Sequence, residues 1–433
     1  MHTLKQLQNH ELLGITRLNL SENLSEFPME ILELADTLEI LSLTNNNLSS
    51  LPSDFDKLTK LKILFCANNA FTEVPKVLAK CASLEMIAFK SNQISTFAEN
   101  SLPLTTRWLI LTNNQITTLP NSIGDLQFLQ KVALAGNQIH TLPDQMQNCK
   151  HLGLLRISAN QISTLPNWIY TLPKLAWLGF AGNPLCKALP QSSESLPSIG
   201  FDELYFDTTI GEGASGVISK GHKLQCKEPV AIKVFKGDVT SDGYPQDEMN
   251  AAVQSGKHPN LINIMADLKE HPDQKEGLIL ELIGSDYKVL GNSPDFETCT
   301  RDTFTSGKIY SYQTILSILK GLASVLAHLR ERNILHGDLY THNILVDPQG
   351  HALLGDFGAA SNMQGLDEDA LEKIEVRSFG YIIDDLLKHL LIANEFALAT
   401  PLAELLDSCL DPEVSNRPNF STISKILETL EAL

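Results

Sequence analysis

Asparagine returns at a nearly fixed interval through the first 183 residues, and this repeat constrains the fold more than any other feature of the sequence. The positions are 23, 46, 69, 92, 114, 137, 160 and 183, so the interval is 23 residues except for one of 22. The same frame surrounds each asparagine, as in LILTNNQITTLP at 109–120 and LRISANQISTLP at 155–166. Eight units at one period predict a stacked structure, because each unit buries its apolar face only against its neighbours.

The repeated frame resembles the leucine-rich repeat, L-x-L-x-x-N-x-L followed by L-P. The resemblance implies a solenoid of short parallel strands in which leucines such as Leu109 and Leu111 fill a continuous core. We expect the asparagines to form an inner ladder that satisfies backbone groups. Residues on or beside the concave face, Trp108, Arg156 and Trp177, predict a surface for a protein partner or substrate, because exposed tryptophan is unfavourable. The alternative is a plain surface, since any solenoid displays some residues there.

The period ends in a segment rich in serine and proline. Residues 184–200 read PLCKALPQSSESLPSIG, which is typical of a linker. We therefore predict a leucine-rich-repeat domain at 1–190, a linker at 191–202 and a second domain at 203–433.

Charge and cysteine content exclude several classes of function. Residues 1–200 hold 14 Lys and Arg against 15 Asp and Glu, whereas the remaining residues hold 19 against 36. An acidic second half argues against nucleic acid or anionic lipid as a partner. The seven cysteines form no C-x-x-C pair, which favours reduced thiols. No run of about 18 apolar residues and no signal-like N-terminus occur, so we expect no membrane span and a cytoplasmic location.

A glycine-rich segment opens the second half. IGEGASGVI at 210–218 follows the pattern G-x-G-x-x-G-x-V, with Gly211, Gly213 and Gly216 at the glycine positions. Glycine lets the backbone of a hairpin approach phosphates without an intervening Cβ. Taken alone the pattern is weak, and a structural glycine hairpin would explain it equally well.

Further along, a lysine and a glutamate are spaced for holding a triphosphate. Lys233 ends the strand-like VAIK, 17 residues after Gly216, and would project to the α- and β-phosphates of ATP. Glu248, on a predicted helix, is the best candidate to pair with Lys233, and a solvated helix charge is the alternative. The apolar LILELI at 278–283 predicts a strand leading to a hinge, whose backbone at Glu281 and Ile283 would bond adenine.

The most specific signal lies at 334–361, ILHGDLYTHNILVDPQGHALLGDFGAAS. It holds H-x-D-x-x-x-x-N and then D-F-G, thirteen residues after Asn343. Phosphoryl transfer requires an aligned nucleophile and neutralised phosphate charge. Asp338 can accept the hydroxyl proton, and Asn343 and Asp356 supply hard oxygen ligands for Mg²⁺. Each motif alone could be purely structural, but that explanation does not readily account for five motifs in this order.

Together these motifs resemble the protein-kinase family over about 203–430. The resemblance implies a two-lobed α+β domain with an N-lobe at 203–283, a C-lobe at 284–433 and ATP between them. The whole chain is thus expected to be α/β, a solenoid followed by this domain. By the same resemblance, adenine would be covered and floored by four apolar side chains: Ile210, Val217, Ala231 and Leu345.

The sequence also departs from the family pattern. Gly337 replaces the arginine of His-Arg-Asp, and Tyr340 stands where serine/threonine kinases carry lysine. No A-P-E motif follows D-F-G, and only the 17 residues 359–375 lead from Gly358 to Glu375, which belongs to a buried helix predicted at 374–387. Arg301 and Asp302, in a long polar connector, are interpreted as solvated rather than as substrate contacts.

Three functions remain open from the sequence. The first is an active protein kinase, serine/threonine-specific, whose repeats recruit a substrate or partner. The second is a small-molecule phosphotransferase, because His-Gly-Asp and a short activation segment also resemble aminoglycoside and choline kinases. The third is a nucleotide-binding pseudokinase scaffold, against which the intact lysine, glutamate, aspartates and asparagine argue.

Overall fold

The computed structural model describes residues 2–186, 196–213, 215–236, 239–305, 307–389 and 396–431. They fall into two units: Met1–Leu175 with Asn183–Leu185, and Ala176–Gly182 with Cys186–Leu433. Residues 191–195 of the predicted linker lie outside the described residues.

Strands of three residues recur through the first unit and pair in parallel with the next strand along the chain. They are β1 (Arg17–Asn19), β2 (Ile40–Ser42), β3 (Ile63–Phe65), β4 (Met86–Ala88), β5 (Trp108–Ile110), β6 (Lys131–Ala133) and β7 (Leu154–Arg156). The central residue of every strand is 0% exposed: Leu18, Leu41, Leu64, Ile87, Leu109, Val132 and Leu155. The solenoid predicted from the repeat is confirmed.

Short helical segments lie between most of the successive strands of the repeats. The α-helix α1 (Leu4–Gln8) comes first, and single 3₁₀ turns follow at Met29–Leu34, Phe55–Lys57, Lys76–Lys80, Asn121–Asp125, Asp144–Asn148 and Asn167–Thr171. In all but the second of these turns, a proline stands immediately before the first residue, and in the last three it belongs to the repeat's L-P pair. Proline fits there because its fixed φ suits a helix start and its missing N–H needs no partner.

The asparagine ladder satisfies backbone groups that the turns leave open. The Nδ2 of Asn137 donates to the carbonyl oxygens of Leu111 at 3.0 Å and Leu134 at 2.9 Å, and its Oδ1 accepts the N–H of Ile116 at 3.1 Å. This side chain is 6% exposed. One asparagine therefore joins two successive repeats, because its amide offers two N–H donors and a separate acceptor oxygen.

The second unit contains β8 (Trp177–Gly179) and, further along, a six-stranded sheet with one helix. The sheet strands are β9 (Ser198–Gly200), β10 (Leu204–Glu212), β11 (Gly216–Lys223), β12 (Pro229–Phe235), β13 (Ile264–Lys269) and β14 (Gly277–Glu281), in the order β10-β11-β12-β14-β13-β9. The helix α2 (Pro245–Ser255) lies between β12 and β13 in the chain. Residues 198–200, which we place in the linker from sequence, pair in parallel with β13, since Ile199 packs on Leu204 and Leu268.

Helices dominate the rest of the second unit. They are α3 (Tyr312–Glu331), α4 (Glu368–Lys388), α5 (Phe396–Cys409) and α6 (Phe420–Glu431). Two small sheets join them: β15 (Lys288–Val289) with β17 (Ile344–Val346) and β18 (Ala352–Leu354), and β16 (Ile334–Leu335) with β19 (Ser361–Asn362). The core includes α3 residues at helical spacing: Ile315, Leu319, Leu322, Leu326 and Leu329. None of the described helices has the length and apolar content needed to cross a membrane.

Asn137→Ala tests the ladder. We expect it to lower the free energy of unfolding of the repeats by about 2–3 kcal/mol, because a buried N–H and two buried carbonyls lose their partner. The measurement is urea unfolding, with amide hydrogen exchange at Ile116. Asn148→Ala makes the same chemical change at an exposed position, and equal effects of the two variants would contradict a role for the ladder.

Candidate active site

Three charged side chains from separate elements meet beside the six-stranded sheet. Lys233 lies in β12 opposite Ile218 of β11 and Leu278 of β14, and it is 6% exposed. Its Nζ forms an ion pair with Glu248 of α2 and lies 3.6 Å from Oδ1 of Asp356. The structure therefore brings together residues predicted from motifs that are more than a hundred positions apart.

Lys233 and Asp356 stabilise each other's charge in this cluster, whereas burial raises the pKa of Glu248 to about 7. Burial alone would lower the pKa of Lys233, but Asp356 and Glu248 outweigh it, so the pKa of the lysine is raised. Partial desolvation by the surrounding atoms would raise the pKa of Asp356, yet the charge of Lys233 and the N–H of Gly358 hold it below its usual value. Lys233 is thus a cation and Asp356 an anion at neutral pH, as binding of a metal-bound triphosphate requires.

The loop after β16 carries Asp338 in a fixed orientation. His336 is 0% exposed, and its Nδ1 accepts the N–H of Asp338 at 3.3 Å. Its proton therefore lies on Nε2, which donates to the carbonyl of Gly355 at 3.0 Å. This imidazole ties the loop to the segment that leads into D-F-G.

Asn343 contacts Asp338 directly. Its Nδ2 donates to Oδ2 of Asp338 at 2.8 Å and to the Asp338 carbonyl at 3.0 Å. Because the amide nitrogen is used in this way, Oδ1 is the atom of Asn343 suited to ligate a cation. The pairing of Ile344 with Leu354 places Asn343 and Asp356 at the same end of the β17–β18 hairpin.

Asp356 itself holds an unusual backbone conformation. Its φ is +57°, in the left-handed region that residues other than glycine seldom adopt. The N–H of Gly358 donates to its Oδ1 at 3.2 Å, and the side chain is 45% exposed. Local strain of this kind persists where surrounding contacts fix it, and here it keeps a carboxylate next to Lys233 and open to solvent.

The glycine-rich hairpin leaves space for a ligand at two of its three glycines. The N–H of Gly213 donates to the carbonyl of Gly216 at 3.0 Å and closes the turn between β10 and β11. A Cβ at Gly213 would meet no atom within 4 Å, and one at Gly211 would lie 3.8 Å from Ile218. At Gly216 a Cβ would lie 2.6 Å from the Val234 carbonyl, so glycine is required there for strand packing. Ala214, within the loop, lies outside the described residues.

The residues predicted to contact adenine occupy neighbouring strands. Val217 lies in β11 and Ala231 in β12, where Ala231 pairs with Leu280 just before the hinge residues Glu281 and Ile283. Ile210 is 53% exposed, and Leu345 lies in β17 opposite Leu353.

A cavity of about 520 Å³ lies on the hinge and shares two residues with the predicted adenine contacts. Among its lining residues are Glu281, Ile283, His258 and His351. Ile210, Val217, Ala231, Lys233 and Leu345 are absent from that lining. It therefore overlaps the predicted adenine position at the hinge residues only, and we assign no ligand to it.

Two residues interpreted as solvated from the sequence instead have buried partners: Asp302 braces the loop after Asp338, and Arg301 pairs with α4. Asp302 is 9% exposed; its Oδ2 accepts the hydroxyl of Thr341 at 2.6 Å and the N–H of His342 at 3.1 Å. Arg301 forms ion pairs with Asp384, at 2.8 Å, and with Asp385. No local pattern marks these partners, since they lie about 40 and 80 positions along the chain from Asp302 and Arg301.

The prediction that Trp108, Arg156 and Trp177 lie on an exposed partner surface is wrong for Arg156 and Trp177. Trp177 is 2% exposed, because it stacks against Tyr340 at 4.3 Å between ring centres. Arg156 is 3% exposed, so its guanidinium is not available on an open face. Trp108 is half-buried, with Nζ of Lys131 lying 4.1 Å from its ring centre.

Comparison with known proteins matches both halves of the chain. The family model for the protein kinase domain matches residues 205–395, and leucine-rich-repeat models match 37–58 and 127–185. Cyclin-dependent kinase 11.1 of Caenorhabditis elegans is 30% identical over 162 residues, which cover 37% of this chain and 21% of that relative. The alignment thus spans about a fifth of the relative's length.

The pKa of Glu375, which contacts the loop that carries Asp338, can be tested by experiment. It is 4% exposed and accepts the N–H of Gly337 at 2.7 Å. Burial raises its pKa from 4.5 to about 8, although the N–H groups of Gly337 and His336 oppose the shift. The raised pKa means that its contribution to stability is full below about pH 4.5 and is lost as the pH rises through 8.

We therefore expect the wild-type thermal midpoint to fall relative to that of Glu375→Gln between pH 5 and pH 8. Glutamine stays neutral and carries no such pH dependence. Glu404→Gln, at an exposed position of α5, should follow the wild type at each pH. A constant difference between wild type and Glu375→Gln over this range would contradict the raised pKa.

Proposed function

Because this chain carries leucine-rich repeats followed by a protein kinase domain, we propose that it transfers the γ-phosphoryl group of ATP to a protein hydroxyl. The observation that supports this most directly is the cluster of Lys233, Glu248 and Asp356, with Asp338 held by Asn343 nearby in the chain's fold. A cluster that served stability alone would not need an exposed carboxylate in a left-handed conformation.

Each residue has a role that its contacts support. Lys233, held by Glu248, binds the α- and β-phosphates as a fixed cation. Asp338 orients the acceptor hydroxyl and takes its proton as the oxygen attacks the γ-phosphorus. The hairpin that carries Gly211 and Gly213 covers the phosphates with its backbone, which can approach them closely because a Cβ at Gly213 would meet no atom within 4 Å.

Asn343 and Asp356 are suited to hold Mg²⁺. Both offer hard oxygen atoms, and two protein ligands suffice because Mg²⁺ keeps water and phosphate oxygens in its shell. When bound, the metal neutralises charge on the phosphates. The raised pKa of Lys233 and the lowered pKa of Asp356 keep both groups in the ionised states that this arrangement needs.

We further infer serine or threonine as the acceptor, a role for the repeats in recruiting the substrate or a partner, and a cytoplasmic location. Trp108 and Lys131, which share a partly open part of β5 and β6, remain the best candidates for a contact surface. Tyr340 is 5% exposed and stacked beneath Trp177, so it does not contact the γ-phosphate in place of lysine.

Lys233→Ala and Asp338→Ala are expected to lower kcat/KM for phosphoryl transfer by on the order of 10²- to 10⁴-fold. The measurement is transfer from radiolabelled ATP to a broad protein lysate and to the chain itself. Lys269→Ala removes a lysine that is 55% exposed in β13 and should retain full activity. Lys233→Ala also leaves Glu248 buried without its partner, which destabilises the fold. Lys233→Arg keeps a cation beside Glu248. If this variant folds but has low activity, the loss is catalytic and does not arise from unfolding.

Asp356→Asn is expected to raise the Mg²⁺ concentration for half-maximal activity by at least about tenfold. Asp207→Asn, on the exposed part of β10, should leave the metal requirement unchanged. An unchanged requirement in Asp356→Asn would contradict the assignment of this carboxylate as a metal ligand.

Identification of the phosphorylated species by mass spectrometry decides between the acceptors. Phosphoserine or phosphothreonine on protein supports the proposal. Turnover only with amino-sugar, alcohol or nucleoside acceptors would replace it with a small-molecule phosphotransferase. Binding of ATP and Mg²⁺ without turnover on any acceptor would replace it with a pseudokinase scaffold.

A further inference from the structure

Trp177, which precedes the kinase domain in the sequence, packs against the loop that carries Asp338. Trp177 of β8 lies between Tyr340 and Tyr381, with ring centres 4.3 Å and 5.3 Å away and rings inclined by 3° and 16°. Its Nε1 donates to the carbonyl oxygen of Leu339 at 3.0 Å. Leu339 and Tyr340 directly follow Asp338, so Trp177 holds the main chain beside the proposed base.

The strand residues after Trp177 contact the same region. The N–H of Phe180 donates to Oγ of Ser361 at 2.9 Å, and that hydroxyl donates to the Ala359 carbonyl at 3.2 Å. A Cβ placed on Gly337 would lie 2.6 Å from the Leu178 carbonyl and 2.8 Å from the Ala359 carbonyl. Two backbone carbonyls, one from β8 and one from the short segment after D-F-G, therefore leave no room for a side chain at position 337.

Tyr381, the second tyrosine that stacks on Trp177, is a residue of α4 and contacts two arginines. The hydroxyl of Tyr381 accepts from Nε of Arg377 at 3.1 Å, and Cζ of Arg301 lies 4.3 Å from the Tyr381 ring centre. Arg301 is in turn paired with Asp384. Trp177 thus lies between a fixed tyrosine of α4 and the tyrosine of the Asp338 loop, and it transmits the position of one to the other.

We propose that Ala176–Gly182 is a positioning element of the phosphotransfer site, and that Trp177 sets the position of Asp338 through Leu339 and Tyr340. This rests on the proposed function, because it assigns Asp338 the role of base. Trp177 touches neither ATP nor acceptor in this proposal, so it is a positioning residue and not a catalytic one. Its loss should reduce the rate of the chemical step and leave nucleotide binding in place.

The expected loss of rate follows from how little displacement of its base the reaction tolerates. A base about 1 Å from its working position can lower a rate on the order of 100-fold. Without the indole, the Leu339 carbonyl loses its donor and Tyr340 loses one stacking face. Lys233, Glu248 and Asp356 have contacts of their own, so the phosphate-binding cluster is expected to persist.

The test compares full-length Trp177→Ala and Trp177→Phe with Trp168→Ala and Trp168→Phe. Trp168 is a second buried tryptophan of the repeats, 7% exposed, and its Nε1 has no hydrogen-bond partner among the described residues. Phenylalanine at 177 keeps a ring between the tyrosines but removes the donor to Leu339. The readouts are kcat and KM for ATP, nucleotide affinity, and amide hydrogen exchange of residues 338–341 and of α2.

We expect Trp177→Ala to lower kcat by on the order of 10- to 100-fold relative to Trp168→Ala, with KM for ATP within about threefold. Trp177→Phe should lie between wild type and Trp177→Ala, about three- to tenfold below Trp168→Phe, as the loss of one hydrogen bond predicts. Exchange at 338–341 should accelerate in both, while exchange in α2 stays unchanged.

Equal kcat in the 177 and 168 variants, or a loss confined to KM for ATP, would overturn the proposal. If Trp177→Ala does not fold, Trp177→Phe decides by the same comparison. Should the wild type show no transfer at all, the proposed function fails, and exchange at 338–341 still decides this inference: unchanged exchange in both 177 variants contradicts it, and acceleration confined to that loop supports it.

Discussion

A buried lysine with two carboxylates is the interaction on which the kinase half of this chain depends. Lys233 is 6% exposed, and removing a charge from water is unfavourable by several kcal/mol unless partners replace the solvent. Glu248 and Asp356 are those partners, and they come from α2 and from the segment after β18. The ion pairs therefore fix the relative positions of a strand, a helix and a loop that share no local sequence pattern.

Sequence predicted those parts of the structure in which the information is periodic or ordered. The repeat predicted the solenoid because every unit presents the same apolar positions, and the motif spacings predicted the lysine cluster because each motif implies one chemical role. Long-range pairings without a motif could not be predicted. The bond from Trp177 to Leu339 joins residues 162 positions apart, and the strand at 198–200 lies in a segment whose composition is that of a linker. In both cases a partner distant in the chain, and not local propensity, decides the conformation.

Trp108 and Trp177 show that equivalent positions of a repeat can differ in exposure. From sequence, Trp177 and Trp108 occupy equivalent positions of the repeat, so both were expected to be open to a partner. Trp177 is buried against two tyrosines, whereas Trp108 is half-buried with Lys131 above its ring. Equivalent positions in a repeat have equivalent backbones, but their surroundings depend on what else the chain brings there.

The departures from the protein-kinase pattern, Gly337, Tyr340 and the short segment after D-F-G, all contact residues 177–180. Gly337 is required because the carbonyls of Leu178 and Ala359 occupy the space of a side chain, and its φ of +72° is unfavourable for other residues. Tyr340 is covered by Trp177, and the short segment after D-F-G bonds through Ser361 to Phe180. In a kinase with arginine before the aspartate, that arginine can receive a phosphate on the activation segment and so order the loop. Here Gly337 stands in place of that arginine, and a segment from the end of the repeats contacts the loop instead, through the bond from Trp177 to the Leu339 carbonyl.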